Sequence, residues 1–279
     1  FFVDTHYRTP EGRYVVKLPF KNIDFQLGDS SFTAMKQFKS LERKLQQDET
    51  TKNMYFDFIS EYLSLQHMVP TSNSSKFVIP HHGVTKIDRN QLKLRVVFNG
   101  SVNCQPHSLN DVLMVGPKLQ KDVRKILLSF RKHAVVFVTD IVKMYRQILI
   151  DFPDRRYQHI YWRFDPKEPI QTYELVTLTY GLTSSPYLAL RVIQQLALDE
   201  GEQFPLAART LQNYIYIDDV ATGANTMEEA IGLRDQLISI LQKGGFQLSK
   251  WASNSPELLS SVLNPISDPI TLSSEPSNS

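Results

Sequence analysis

Two adjacent carboxylates interrupt the stretch Tyr214-Ile215-Tyr216-Ile217-Asp218-Asp219-Val220, which is otherwise apolar or aromatic and reads as a strand and its return. Like charges this close repel, and each resists leaving water. Both stay ionised beside a core only where water or a cation compensates them. A solvated hairpin turn with Asp at its tip satisfies the same pattern. The pair therefore points either to an ordinary turn or to a site for a divalent ion.

A third acid bears on that choice. Ala134-Val135-Val136-Phe137-Val138 is an apolar run short enough to be a buried strand, and it leads to Asp140. Taken alone, Asp140 is equally well an N-cap for a short helix over residues 141–148. If the two strands are antiparallel neighbours, Asp140 and Asp218 converge and can hold two hard cations through oxygen ligands.

The remaining pattern surrounds these acids with mixed α and β structure. Ser30 or Ser31 caps a helix carrying Ala34, Phe38, Leu41 and Leu45, and a second helix carries Tyr55, Phe58, Tyr62 and Leu65. Tyr14-Val15-Val16 follows a turn at Thr9-Pro10-Glu11-Gly12. Phe77-Val78-Ile79-Pro80, a polar connection through Asp88-Arg89-Asn90, and alternating Leu92, Leu94, Val96 and Phe98 suggest a hairpin with a cationic face. Residues 118–132 read as a helix with Val123, Ile126 and Leu127 inward. Lys118, Lys121 and Lys125 then lie near one face, either as a merely solvated surface or as a phosphate track, with Arg124 and Lys132 close by. Residues 173–178 are strand-like, Gly181 breaks them, and Ser185-Pro186 opens a helix through Leu196. A strand is expected over 211–217 and a helix over 227–241, ended by Gly244-Gly245. His81 and His82 are neighbours on a strand, face opposite ways and cannot share one ion, so structural roles are assigned to them.

Composition sets the bounds. A chain of 279 residues, 42% hydrophobic and 11% aromatic, supports one large domain or two small ones with a real core. Its net charge of +2 leaves any nucleic-acid surface to local clustering. Cys104 is the only cysteine, which excludes an internal disulfide framework and fits a reducing compartment, cytoplasm or nucleus. No apolar run approaches a membrane span, and the start at Phe1-Phe2-Val3-Asp4 reads as a cut from a longer open reading frame.

Four segments in order resemble the motif series of reverse transcriptases: Asp140-Ile141-Val142-Lys143-Met144-Tyr145, Tyr180-Gly181-Leu182-Thr183-Ser184-Ser185-Pro186, Tyr216-Ile217-Asp218-Asp219, and Gly245-Phe246-Gln247-Leu248-Ser249-Lys250-Trp251. Phe77-Val78-Ile79-Pro80-His81-His82-Gly83-Val84, Leu94-Arg95-Val96-Val97-Phe98-Asn99, Leu248-Ser249-Lys250-Trp251-Ala252-Ser253-Asn254 and the upstream Gly12-Arg13-Tyr14-Val15-Val16-Lys17-Leu18-Pro19-Phe20 are similar to the BEL/Pao type of LTR retrotransposon in particular. The resemblance covers residues 12–254.

The resemblance implies an α+β right-hand polymerase with fingers and palm, an antiparallel palm sheet with packed helices, and a largely absent thumb. It divides the chain into an N-terminal segment (1–75), fingers and palm (76–255) and a disordered tail (256–279). It makes Asp140, Asp218 and Asp219 the catalytic carboxylates and metal ligands for two Mg²⁺ ions, with Mn²⁺ as a substitute. It makes Lys250 the proton donor to leaving pyrophosphate, against the plain reading of a surface lysine. Arg95 grips the triphosphate, with Lys86 as a neighbour, and Tyr145 lies under the incoming sugar and excludes a 2′-hydroxyl; the plain readings are a solvated strand charge and a buried aromatic. Tyr180 and Gly181 lie at the nascent base pair. Asn99 and the pair Thr179-Tyr180 depart from residues common at their positions in relatives.

The implied activity is RNA-directed DNA polymerisation from deoxynucleoside triphosphates on a primed RNA or DNA template. Protease, RNase H and integrase belong to the rest of the Pol polyprotein, outside this chain, and no membrane is involved. The alternatives are a catalytically incomplete or domesticated fragment that only binds nucleic acid or a partner, and an RNA-dependent RNA polymerase, which shares the paired-acid hairpin.

Overall fold

Ala34, Phe38, Leu41 and Leu45 are all buried on the helix Ser31–Gln47, as their spacing predicts. Ser30 precedes that helix without capping it. Its hydroxyl accepts from the Val78 amide and donates to the Val78 carbonyl, both at 2.8 Å. The next helix, Glu49–Ser64, starts at Asp48, whose carboxylate accepts from the Thr51 amide, and it buries Tyr55, Ile59 and Tyr62. Leu65, expected on that face, lies just past the helix end and is exposed.

The computed structural model describes residues 1–21, 26–88, 91–260 and 262. They form two compact units interleaved along the chain, one from residues 1–119 and 143–192, the other from residues 120–142 and from 193 onward.

In the first unit the two helices pack near an aromatic core centred on Trp162. Tyr55 stacks on it with ring centroids 5.2 Å apart, and Phe38 and Phe56 meet it edge-on. Trp162 belongs to the strand His159–Trp162, which pairs antiparallel with Gln171–Leu175, itself paired with Met68–Pro70. A small sheet joins Tyr7–Arg8, Tyr14–Val16 and Leu149–Ile150, the last pair parallel.

The expected hairpin exists but starts later than its apolar run. His81–Asp88 pairs with Gln91–Phe98, whereas Phe77, Val78 and Ile79 are a buried connection before it. The connecting residues Arg89 and Asn90 lie outside the described residues. Only Val96 and Phe98 of the second strand are buried; Leu92, Val84 and Ile87 are exposed, so most of the hairpin projects from the core.

The second unit is built on a four-stranded antiparallel sheet in the order Ile215–Tyr216, Asp219–Ala224, Val135–Ile141, Leu248–Ser253. Phe137, Thr139 and Ile141 of the central strand are buried, and Phe137 meets Trp251 at 5.7 Å between ring centroids. The helix Met227–Lys243, opened by a capping box between Thr226 and Glu229, supplies Leu233, Leu237, Ile240 and Leu241 to the core.

Three expectations are corrected here. Residues 211–213 belong to the helix Pro205–Asn213, leaving a strand of only two residues before the paired acids. The helix expected over 118–132 is Val123–Phe130, started by Asp122; only Ile126 is buried, while Val123 and Leu127 are exposed. The tail begins with a helical turn, Pro256–Leu259, that buries Leu258, and residues 263–279 lie outside the described residues. Among the described residues no helix is long and apolar enough to cross a membrane.

Candidate active site

The central strand carries Asp140 near its end, and register sets it directly opposite Asp219 on the neighbouring antiparallel strand. Directly paired residues project from the same face, so the two carboxylates share one side of the sheet. Val138, Val136, Ala221 and Gly223 are the other paired positions on that side, whereas Thr139 and Val220 point into the core. Asp218 occupies the two-residue turn between Tyr216 and Asp219.

That turn is strained. Ile217 has φ +59°, a region costing a β-branched residue on the order of 1–3 kcal/mol. Two-residue hairpin turns with positive φ at the first central position usually place glycine there. Two hydrogen bonds oppose the strain: the Ile217 amide donates to Gln120 Oε1 at 2.9 Å, and the Asp218 carbonyl accepts from the Ile141 amide at 2.8 Å.

Lys250 reaches the acids from the fourth strand. The register of Leu248–Ser253 against the central strand slips between Ser249 and Ala252, and Lys250 sits in this bulge at φ +55°. Its Nζ lies 3.0 Å from Asp140 Oδ2. Ser249 is held beside it by the Thr139 hydroxyl, which donates to its carbonyl at 2.8 Å.

The Asp219 carboxyl is pushed above the usual range, first by desolvation, then by the charges of Asp218 and Asp140; Lys250 opposes the rise. Hard oxygen donors crowded around a carboxylate whose charge they disfavour, as Asp218 and Asp140 do for Asp219, suit a divalent cation in kind. Among the described residues no three His, Cys, Asp or Glu side chains are arranged as a ready-made cage. The cation facing Asp140 in this structure is the Lys250 ammonium.

The nucleotide-binding candidates belong to the other unit. Arg95 is exposed on the hairpin, in register with Val84, and Lys93 pairs directly with Lys86, so all three cations share one face. Like charges placed opposite each other are unfavourable unless an anion joins them; Asp88 relieves part of this by a 2.5 Å contact to Lys93.

Gly181 has φ +95°, and a β-carbon there would lie 2.1 Å from the Phe98 carbonyl oxygen, so only glycine fits. Asn110 pins this loop, donating to the Gly181 carbonyl at 3.0 Å and accepting from the Thr183 amide at 2.8 Å. Tyr180 is half-buried 5.3 Å from the Phe98 ring, and burial raises its phenol pKa.

Tyr145 lies in the short helix Met144–Gln147 between two anchored cations. Lys143 Nζ and Arg146 Nη1 contact the two oxygens of Glu61 at 2.5 and 2.6 Å. The Arg146 guanidinium also donates to His67 Nδ1 at 2.8 Å and lies 4.0 Å over the Tyr62 ring. Burial works against the Glu61 carboxylate, but the bonds from Lys143 and Arg146 outweigh it and lower its pKa.

The expected lysine track does not form on one helix face, because Lys118 and Lys121 precede the helix that carries Lys125. His81 is buried, its Nε2 donating to the Tyr161 carbonyl at 3.0 Å and its Nδ1 hydrogen-bonded to Tyr55 Oη, whereas His82 is exposed. Sequence reasoning missed Gln120, Asn110 and the Glu61 cluster. Each acts through a partner far away in the chain and carries no local spacing signal.

Residues 98–251, more than half of the chain, match the family model for reverse transcriptase (RNA-dependent DNA polymerase). The fold is similar to that of prototype foamy virus protease-reverse transcriptase, with a TM-score of 0.57 at 14% identity over 88% of this chain and 28% of that one. It is similar also to the foamy viral protease-reverse transcriptase in complex with double-stranded DNA (TM-score 0.55, 16% identity, 71% of this chain, 30% of that one) and with an RNA/DNA hybrid (0.55, 16%, 71% and 23%). The chain thus spans less than a third of the solved proteins it matches. No curated protein matches it in sequence. At such identities the likeness speaks to the fold: antiparallel sheets and packed helices like the fingers and palm of retroviral reverse transcriptases.

Proposed function

We propose, for a chain that belongs to the reverse transcriptase (RNA-dependent DNA polymerase) family, that it is the polymerase portion of a BEL/Pao-type LTR retrotransposon polyprotein and adds deoxynucleotides to a primer 3′-hydroxyl on an RNA or DNA template. The observation that carries this reading is the cross-strand pair Asp140 and Asp219, with Asp218 in the adjoining turn. Two carboxylates paired across the sheet from positions 140 and 219, with a third in the turn beside them, serve no evident packing purpose.

Asp140, Asp218 and Asp219 would hold two Mg²⁺ ions, or Mn²⁺ in their place. When bound, such ions activate the attacking hydroxyl and stabilise the leaving pyrophosphate. The chain's own residues do the positioning. Lys250 compensates Asp140 charge through the 3.0 Å contact and is the proposed proton donor to pyrophosphate. Arg95, with Lys86 and Lys93 on the same hairpin face, binds triphosphate oxygens; a guanidinium does so bidentately. Tyr145, held by its anchored neighbours, lies under the sugar and rejects a 2′-hydroxyl. Gly181 lets the backbone come close to the nascent pair, with Tyr180 beside it.

The proposed partners are a primed template and deoxynucleoside triphosphates. Complexes of the foamy viral enzyme with double-stranded DNA and with an RNA/DNA hybrid support the same class of ligand here. Protease, RNase H and integrase of the same polyprotein would act beside it, in a cytoplasmic particle or in the nucleus.

Single-nucleotide addition to oligo(dT) on poly(rA) tests the reading. The chain should incorporate dTTP and discriminate strongly against UTP, and Tyr145→Ala should lower that ratio while keeping dTTP addition. Equal use of dTTP and UTP by the native chain would move it to the RNA-making polymerases; an unchanged ratio in an active Tyr145→Ala would remove Tyr145 from the role.

A further inference from the structure

The strand that delivers the paired acids is the weakest element of its sheet. It is two residues long, Ile215–Tyr216, lies at the sheet edge, and leads into a turn with Ile217 at φ +59°. In a strand, alternate residues present their amide and carbonyl to opposite sides. Tyr214 and Tyr216 address the neighbouring strand, as the bond from the Ala221 amide to the Tyr214 carbonyl and the pairing of Tyr216 with Asp219 require. Ile215 and Ile217 therefore present theirs to the open edge, where no strand follows among the described residues.

One side chain meets that edge. The Gln120 carboxamide accepts from the Ile217 amide at 2.9 Å and donates to the Ile215 carbonyl at 3.3 Å, with a further contact of its Nε2 to the Lys121 carbonyl at 3.3 Å. An acceptor and a donor addressed to residues two apart reproduce what another strand would offer. We infer that Gln120 is a positioning residue that acts as a one-residue substitute strand, holding the Ile217 turn in the conformation that directs Asp218 and Asp219. The inference rests on the reading of those acids as the catalytic centre for its functional part only; the clamp itself is a statement about the turn.

The carboxamide is the side chain suited to this task. Gln120→Glu keeps an acceptor for the Ile217 amide but loses the donor to Ile215. Gln120→Leu keeps the approximate volume and loses both. Because Gln120 is half-buried and Ile217 exposed, a loss at Gln120 should register at the turn before it registers in the fold as a whole.

The test is residue-resolved amide hydrogen exchange on the full chain, native and with Gln120→Leu or Gln120→Glu, beside a Mg²⁺ titration of dTTP addition. Gln120→Leu should speed exchange at Ile217 by about tenfold, the factor for one lost hydrogen bond, with Val135–Ile141 unchanged. Gln120→Glu should retain most of the protection. In the same variants the Mg²⁺ concentration for half-maximal rate should rise several-fold and kcat fall about tenfold for Gln120→Leu, with KM for dTTP within about twofold. Unchanged exchange at Ile217, or acceleration spread equally over the central strand, would overturn the clamp. Faster exchange at Ile217 with an unaltered Mg²⁺ midpoint and kcat would overturn its role in positioning the acids. If Asp218→Asn keeps full activity, the catalytic reading fails instead, and the exchange data still judge the clamp.

Discussion

A β-carbon added at Gly181 would sit 2.1 Å from the Phe98 carbonyl oxygen, and the backbone there already lies at φ +95°. Neither problem is relieved by a side-chain rotation, because the obstacle is backbone. Gly181→Ala should therefore cost about 2–3 kcal/mol of stability, readable as a lower denaturant midpoint at unchanged slope. A cost under about half a kcal/mol would mean that the loop shifts freely and that Asn110 does not fix it. Ile217 poses the converse case. Its strained φ is tolerated at an exposed position because hydrogen bonds to the turn, not packing, hold it.

The short helix bearing Tyr145 depends on Glu61, which belongs to the helix Glu49–Ser64. Gln at position 61 keeps the shape and loses the charge shared by Lys143 and Arg146, leaving a buried guanidinium without its anion. Glu61→Gln should lower stability by roughly 2 kcal/mol and reduce selection of dTTP over UTP, while Glu61→Asp recovers part of both. Stability lost with selectivity intact would show that the anchors do not govern Tyr145. Element by element, legibility followed sequence pattern. The central strand is readable because its β-branched run has strand length and character, although only Phe137 of residues 134–138 is buried, and the helix Ser31–Gln47 because its apolar face meets the core. The end of the helix Pro205–Asn213 resembles a strand in sequence since Leu211, Ile215 and Ile217 fall at even spacings, while Pro205 at its first turn is the local signal for the helix. Phe77-Val78-Ile79 looked like a strand because buried connections carry the same residues, and the true hairpin is largely exposed. The bulge at Lys250 and the clamp by Gln120 depend on partners across the sheet, which no local pattern encodes.

At the scale of the molecule, the acids were legible as types and their convergence only as a condition, because pairing Asp140 with Asp219 is a long-range choice. The interleaved units were not legible at all, since contiguous composition does not report which segments return to the same core. A pH dependence belongs to the same scale. Burial holds His67, His81 and His159 down to about 4, with Arg146 adding to the effect at His67. Unfolding exposes them to the ordinary value of 6.5, so between about 4 and 6.5 the unfolded chain binds more protons. Stability should accordingly fall as pH drops through that window, with proton uptake on unfolding at pH 5 that is absent at pH 7.5. No uptake at pH 5 would mean that these rings are protonated in the fold. The central claim, that the sheet's three carboxylates form a metal-dependent centre for DNA synthesis, is met most directly by following dTTP addition to a primed RNA template with Mg²⁺ or Mn²⁺, for the native chain beside Asp218→Asn. The account predicts addition that requires the metal and drops by at least about a thousandfold in the variant; addition that persists in Asp218→Asn, or that needs no metal, would contradict it.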